Sequence, residues 1–205
     1  MEGVTRALFD HGVAISPRPG EVECGDRHLI HAHDNGVLVA VMDGLGHGAE
    51  AAEIAARAAE VLERHACDSV VSMVRTCHEE LRGSRGVALA IASYDNRDAT
   101  VTWLGVGNVD AVLVRGNADS YPRAEHVLLR AGVIGHRLPP LYAAVLPVDG
   151  GDTLVMATDG VRNGFTQAVR NGDAPQEIAD RIMAGYATRS DDALVLVGRF
   201  KASGS

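Results

Sequence analysis

The sequence predicts an α+β fold, with antiparallel sheets and helices segregated from the strands rather than alternating with them. Three observations lead there. Read along the chain, the elements run strands, two helices, more strands, one helix and a last strand, with no regular βα alternation. Asn35-Gly36, the turn chemistry of a tight hairpin, leads directly into the apolar run from Val37 to Met42. Two short stretches, Val39-Ala-Val-Met-Asp43-Gly44 and Leu154-Val-Met-Ala-Thr-Asp159-Gly160, each carry an apolar run into Asp-Gly. That pattern is a buried strand stopped by a turn.

Each element follows from its own residues. Val4 to Ile15 mixes apolar and polar positions as one or two strands, and Pro17-Arg-Pro19-Gly20 closes it with a turn. His28 to His33 alternates weakly and pairs through Asn35-Gly36 with the next strand. Ala49 to Ala66 then changes the period to that of a helix, rich in Ala, Glu, Arg and Leu, and Val70 to Leu81 is a second amphipathic helix. Strands resume at Val87 to Ser93, with a turn over Tyr94 to Arg97, and continue at Thr100 to Gly105 and Val109 to Val114. Leu128 to Val133 and Tyr142 to Val148 are further strand candidates on either side of Pro139-Pro140. Asp149-Gly-Gly-Asp152 is a tight turn before the Leu154 strand. Pro175 to Tyr186 is a third helix with proline suited to its first turn, and Asp192 to Phe200 is the final strand. The expected organisation is one domain over residues 1–200 and a flexible tail over 201–205.

Composition sets bounds on function. The chain has 205 residues and 46% hydrophobic content, enough for one domain with a substantial core. Its formal charge of −8 argues against a broad nucleic-acid-binding face. No basic-then-apolar leader and no run of membrane-spanning length is present, so a cytoplasmic protein without membrane attachment is expected. The cysteines Cys24, Cys67 and Cys77 form no CxxC pair, which suggests neither a zinc site nor a disulfide framework. Cys67 and Cys77 fall in helix-like segments and are expected as small core residues.

The chemistry sits in aspartates at strand ends. Asp43 and Asp159 end strands, and Asp191, in Ser190-Asp191-Asp192, begins one. In antiparallel neighbours the end of one strand lies beside the start of the next, so all three can gather on one edge. Asp26, ahead of the His28 strand, can join them. Clustered carboxylates are costly to bury unless paired or bound to a cation. Carboxylates with water completing the shell are the donors that Mg²⁺ or Mn²⁺ prefers. Asp43 is the best placed to bridge two ions, with the Gly44 carbonyl as a further ligand. A two-metal site lowers the pKa of bound water and neutralises phosphate, which makes phosphoester hydrolysis the natural reaction class.

Three motifs then carry a family resemblance: Asp43-Gly44-Leu45-Gly46-His47-Gly48 before an Ala/Glu-rich helix, Ala157-Thr158-Asp159-Gly160, and Asp191-Asp192-Ala-Leu-Val. In this order they resemble the metal-dependent serine/threonine phosphatases of the phosphatase 2C superfamily, most of all its bacterial SpoIIE-type branch. The resemblance implies an αββα sandwich of two antiparallel sheets flanked by helices. It also implies hydrolysis of phosphoserine or phosphothreonine through a metal-bridging hydroxide, with two Mn²⁺ or Mg²⁺ ions. By the same resemblance Asp43 bridges the metals, Gly44 offers its carbonyl to the second, Asp159 and Asp191 ligate the first, and Asp26 faces the second. Gly107-Asn108 resembles a core-strand motif of the branch and receives no catalytic role. The compact length is similar to that of stressosome feedback phosphatases, which implies a monomer acting on phosphorylated STAS-domain regulatory proteins.

Two departures from the eukaryotic members stand out. Leu45 occupies the position of a His proposed there as general acid, and Glu21 that of a phosphate-binding Arg. The leaving-group acid and the phosphate anchor are therefore unassigned by sequence.

Plainer readings compete for several residues. His47 reads as a helix-start residue facing solvent before it reads as an acid. His31 and His33 read as an exposed strand pair, Arg162 and Arg189 as solvated, and Glu50, Glu53, Glu60 and Glu63 as a solvated helix face. Asp192 reads as a cap or as a residue that orients its neighbour. Two other functions are compatible with parts of the pattern. One is a non-catalytic phosphoprotein-binding module on a phosphatase-like fold. The other is a dinucleotide-binding oxidoreductase, since Gly44-x-Gly46-x-x-Ala49 satisfies the glycine turn of such folds, although Asp43 would repel a pyrophosphate there.

Overall fold

The computed structural model describes residues 9–33 and 35–201. Among the described residues, eleven strands and three α-helices follow the chain order β1 (Phe9–Ser16), β2 (Asp26–His33), β3 (Gly36–Gly44), α1 (Ala49–Arg64), α2 (Val70–Glu80), β4 (Val87–Asp95), β5 (Thr100–Val106), β6 (Asp110–Val114), β7 (Ala124–His126), β8 (Leu129–Arg130), β9 (Ala144–Pro147), β10 (Thr153–Ala157), α3 (Pro175–Tyr186) and β11 (Ala193–Phe200). A 3₁₀ turn over Phe165–Ala168 precedes α3. The sequence expectation for Val4 to Phe9 lies mostly outside the described residues, as does the tail beyond Lys201.

Two sheets stack face to face. One has the order β1-β11-β10-β6-β7, and the other β2-β3-β4-β5-β8, with β9 also paired to β5. Alternation along β3 shows how the layers are made. Val37, Val39 and Val41 enter the core between the sheets with Trp103, Leu154, Met156, Leu194 and Leu196. Leu38, Ala40 and Met42 point the other way, into a second core with α1 and α2. A third core joins the outer face of β10 and β11, through Val155, Val195 and Val197, to Ile178, Ala179 and Ile182 of α3. The layers are helix, sheet, sheet, helix, the αββα sandwich expected. Because both faces of the central strands are covered, they read in sequence as unbroken apolar runs rather than as alternating ones.

The sequence reading differs from the structure mainly at the sheet margins. Leu128 to Val133 yields only the two-residue β8, and Tyr142 to Val148 yields only β9; β7 was not anticipated. These strands are short and largely exposed, so little apolar patterning marks them. Cys77 is buried as expected, but Cys67 lies just past the end of α1 and is exposed, because the helix stops at Arg64. β3 pairs antiparallel with both β2 and β4, so the glycine turn after it is not part of a parallel βαβ crossover. The dinucleotide-binding alternative loses its structural context there. Among the described residues, no helix is long and apolar enough to cross a membrane.

The two Asp-Gly glycines have a shared steric cause. A Cβ on Gly44 would stand 2.2 Å from the carbonyl oxygen of Ala51 in α1. A Cβ on Gly160 would stand 1.9 Å from the carbonyl oxygen of Asp192 at the entry to β11. In each case backbone packs directly against the turn that follows an aspartate. Gly160→Ala is therefore expected to destabilise the chain by about 1–3 kcal/mol or more through overpacking against backbone, read as a lowered midpoint in urea unfolding.

Candidate metal centre

Strand register assembles the site. Asp26, the first residue of β2, is the direct cross-strand partner of Asp43 near the end of β3. Pairing partners project to the same face, and for Asp43 that is the face of Val39 and Val41, toward the gap between the sheets. Asp159 follows β10 and Asp191 precedes β11, strands that pair antiparallel in the other sheet. Both sheets thus deliver carboxylates to one end of the sandwich. Asp26, Asp43, Asp159, Asp191 and Asp192 line a pocket of about 210 Å³ there, together with Leu45, Gly46 and Asn108. Gly44 is buried next to the pocket but is not among the residues lining it, and its visible role is to admit α1.

Asp192 has a different task from its neighbours. Its carboxylate accepts the Arg18 N–H at 2.8 Å and the Gly25 N–H at 2.9 Å, and it is 4% exposed. It pins the loop that ends at Asp26. Thr158 ties the two sheets together at this edge. Its hydroxyl donates to Asp26 Oδ2 at 2.7 Å and accepts the Leu194 N–H at 2.9 Å.

Asn108, which the sequence marked only as part of a Gly-Asn motif without a catalytic role, stands among the acids. It lies in the turn between β5 and β6, where Gly107, with φ +94°, sits hard against Ala88. Its amide donates to Asp159 Oδ2 at 2.6 Å and makes a longer contact of 3.4 Å with Asp43 Oδ2. It is thus a neutral donor shared by acids from opposite sheets. The signal was the Gly-Asn pair itself, a turn placing a polar side chain at a strand end, but nothing local says which edge the turn faces.

The acids carry unbalanced charge. Burial, followed by the nearby charge of Asp43, pushes the Asp26 carboxyl up to about 8 despite the Thr158 hydrogen bond. Burial, followed by the charge of Asp159, pushes Asp43 up to about 7 despite Asn108. Among the described residues, no three His, Cys, Asp or Glu side chains already converge tightly enough to hold an ion. Like charges in a shared pocket stand apart, and Asn108 sits between two of them. Asp26 and Asp192 are buried and Asp159 and Asp191 exposed, but the donor set as a whole consists of oxygens, is anionic and has no cationic side chain in its lining. Those are the preferences of a hard divalent cation.

The other flagged side chains fall outside the pocket lining. His47 pairs with Glu21, Nδ1 to Oε1 at 2.7 Å, and is about half exposed. His47 faces solvent as expected, whereas His31 is half-buried and bound to Glu63 at 3.2 Å rather than part of an exposed strand pair. Arg162 donates to the Gly185 and Tyr186 carbonyls at the C-terminal end of α3. Burial pushes the Cys24 thiol up to about 12, which leaves it protonated and a poor nucleophile.

The family model described as stage II sporulation protein E (SpoIIE) matches residues 33–201. The chain belongs to the SpoIIE family. Its similarity extends to phosphoserine phosphatase RsbX of Bacillus subtilis (strain 168), with 24% identity over 183 residues, covering 89% of this chain and 90% of that protein. A structure from work on the bacterial stressosome as a modular system controlling secondary-messenger signalling superposes with TM-score 0.85 and 29% identity, over 93% of this chain and 99% of that one. A crystal structure of RsbX in complex with magnesium superposes with TM-score 0.84 and 22% identity, over 95% and 96% of the two chains. This SpoIIE-family chain therefore shares the phosphatase 2C-like fold along nearly its whole length.

Two measurements follow from the electrostatics. Asp26 and Asp43 hold protons in the folded state that the unfolded chain, with carboxyls near 4, has released, so raising the pH favours unfolding. Without added metal, the melting temperature is expected to fall between about pH 5 and pH 8, and Asp43→Asn is expected to flatten that fall. A steeper fall in the variant than in the wild type would contradict the clustering. Asn108→Ala should weaken Mn²⁺ binding about 10–100-fold by calorimetry, the usual effect of removing a partner that orients a metal ligand.

Proposed function

We propose that this SpoIIE-family chain is a metal-dependent protein phosphatase that hydrolyses phosphoserine or phosphothreonine on a regulatory protein. The observation that carries the reading is the convergence of Asp26, Asp43, Asp159 and Asp191, from four strand ends in two sheets, on one solvent-open pocket. RsbX, a phosphoserine phosphatase by name, supports the activity, and the magnesium in its crystal structure supports a divalent cation. Family membership and the likeness to a stressosome-related structure support a phosphorylated STAS-domain stressosome component as the substrate.

Asp43 and Asp26 would hold one cation with help from the Gly44 carbonyl, and Asp159 and Asp191 would hold the other with Asp43 between. Bound there, a pair of Mn²⁺ or Mg²⁺ ions lowers the pKa of water and offsets phosphate charge. The protein's own part is positional. Asp192 and Thr158 fix Asp26, and Asn108 holds Asp159 toward Asp43. The pocket, at about 210 Å³, is smaller than cavities that enclose whole metabolites. Its size suits a phosphoryl group presented on the surface of another protein.

The test is hydrolysis of a phosphoserine peptide by purified protein. Activity is expected with Mn²⁺, to vanish with chelator, and to fall by at least about 100-fold in Asp43→Asn, Asp159→Asn and Asp191→Asn, a loss of the size typical for removing one electrostatic contact to a transition state. Full turnover in chelator, or in folded Asp43→Asn, would contradict the reading. Stoichiometric phosphopeptide binding with no phosphate released at saturating Mn²⁺ would favour a binding module instead.

A further inference from the structure

Two divalent cations against four carboxylates leave no net charge to receive a phosphomonoester dianion. None of the eight residues lining this pocket is cationic, and the position at which the eukaryotic members carry an arginine is Glu21, which pairs instead with His47. A cationic side chain able to meet the phosphate here would stand at the rim.

The arginines near that rim differ in how they are held. Arg162 is occupied by the carbonyls at the end of α3. The backbone N–H of Arg18 bonds Asp192, but its side chain is exposed, as is that of Arg189. Among the described residues no ion pair fixes either one. Arg85 is different. It precedes β4 in a segment anchored to the loop after Asp43, where the Leu45 N–H donates to the Gly86 carbonyl at 3.0 Å. Its guanidinium bonds Glu50, in the first turn of α1, at 2.5 Å. It also lies directly over Gly46, a pocket-lining residue, so that a Cβ there would stand 2.8 Å from Arg85 Nη1. The side chain is still 57% exposed, leaving donors open to an incoming oxyanion.

From this we infer that Arg85 is the phosphate anchor of the site, a guanidinium held at the pocket rim by Glu50 and admitted by the absence of a side chain at Gly46. The inference rests on the phosphatase reading above. A planar guanidinium matches phosphate oxygens in a bidentate way that an ammonium does not, so lysine is only a partial substitute. Arg85 supplies no proton and forms no covalent bond. It binds the phosphoryl oxygens and orients them.

The experiment measures inorganic phosphate binding to the Mg²⁺-loaded protein by calorimetry, together with phosphoserine-peptide kinetics and melting temperature. The proteins compared are wild type, Arg85→Ala, Arg85→Lys and Arg189→Ala. The expected result is a Kd for phosphate and a KM raised about 10-fold or more in Arg85→Ala, with unchanged melting, intermediate values in Arg85→Lys, and wild-type phosphate binding in Arg189→Ala. A wild-type enzyme that turns over while Arg85→Ala keeps its phosphate affinity and KM would overturn the anchor and leave the phosphatase reading standing. Loss of activity together with a lowered melting temperature, at unchanged phosphate affinity, would also overturn it, by showing a structural role. A wild-type protein that neither hydrolyses the peptide nor binds phosphate with Mg²⁺ or Mn²⁺ would overturn the phosphatase reading, and the anchor with it.

Discussion

Like charge gathered at one edge of the sandwich is the constraint around which this molecule is arranged. A buried carboxylate is tolerated when a cation or several N–H groups answer it. The chain has examples. Asp152 is 2% exposed, but it bonds Arg115 at 2.7 Å and accepts the Gly116 and Asp149 N–H groups. Asp192 is answered by two backbone N–H groups. Asp26 and Asp43 have only a threonine hydroxyl and a shared asparagine amide, and they face each other across a strand pair. That difference separates acids whose charge is answered within the fold from acids whose charge it leaves largely unanswered.

The sandwich makes such an arrangement affordable. Three apolar cores, one between the sheets and one beneath each helical layer, hold the strands rigidly enough to keep repelling groups at their ends. The repulsion is confined to a solvent-open margin where strands enter and leave. Cross-sheet bonds from Thr158 and Asn108 then fix the spacing of acids that belong to different sheets. The site therefore depends on the packing of the two sheets against each other as much as on any one strand.

The elements at the centre of the sheets were legible in the chain because each is covered on both faces and so carries an unbroken apolar run. β3, β4, β10 and β11 are all of this kind, and their ends fall within one or two residues of the reading. β7 escaped, and β8 and β9 are shorter than the candidates read for them, because two to four partly exposed residues carry little pattern. The same physics governs the site. Asp26, Asp43, Asp159 and Asp191 stand at the ends of legible strands or beside them, so their convergence could be argued from antiparallel neighbourhood alone. Cys67 went the other way, exposed past the helix end, since composition carries an Ala-rich pattern beyond the point where α1 stops.

The chain's own residues determined the sandwich's central strands, its three helices and which acids lie at strand ends, because burial periodicity and Asp-Gly turns are local signals. Only the tertiary structure decided that Asn108 stands between Asp43 and Asp159, that Thr158 reaches Asp26 from the other sheet, and that Arg85 lies over Gly46. Those contacts join positions roughly 40 to 130 residues apart. No local pattern encodes them, because they depend on how two sheets and a helix start come to rest against one another.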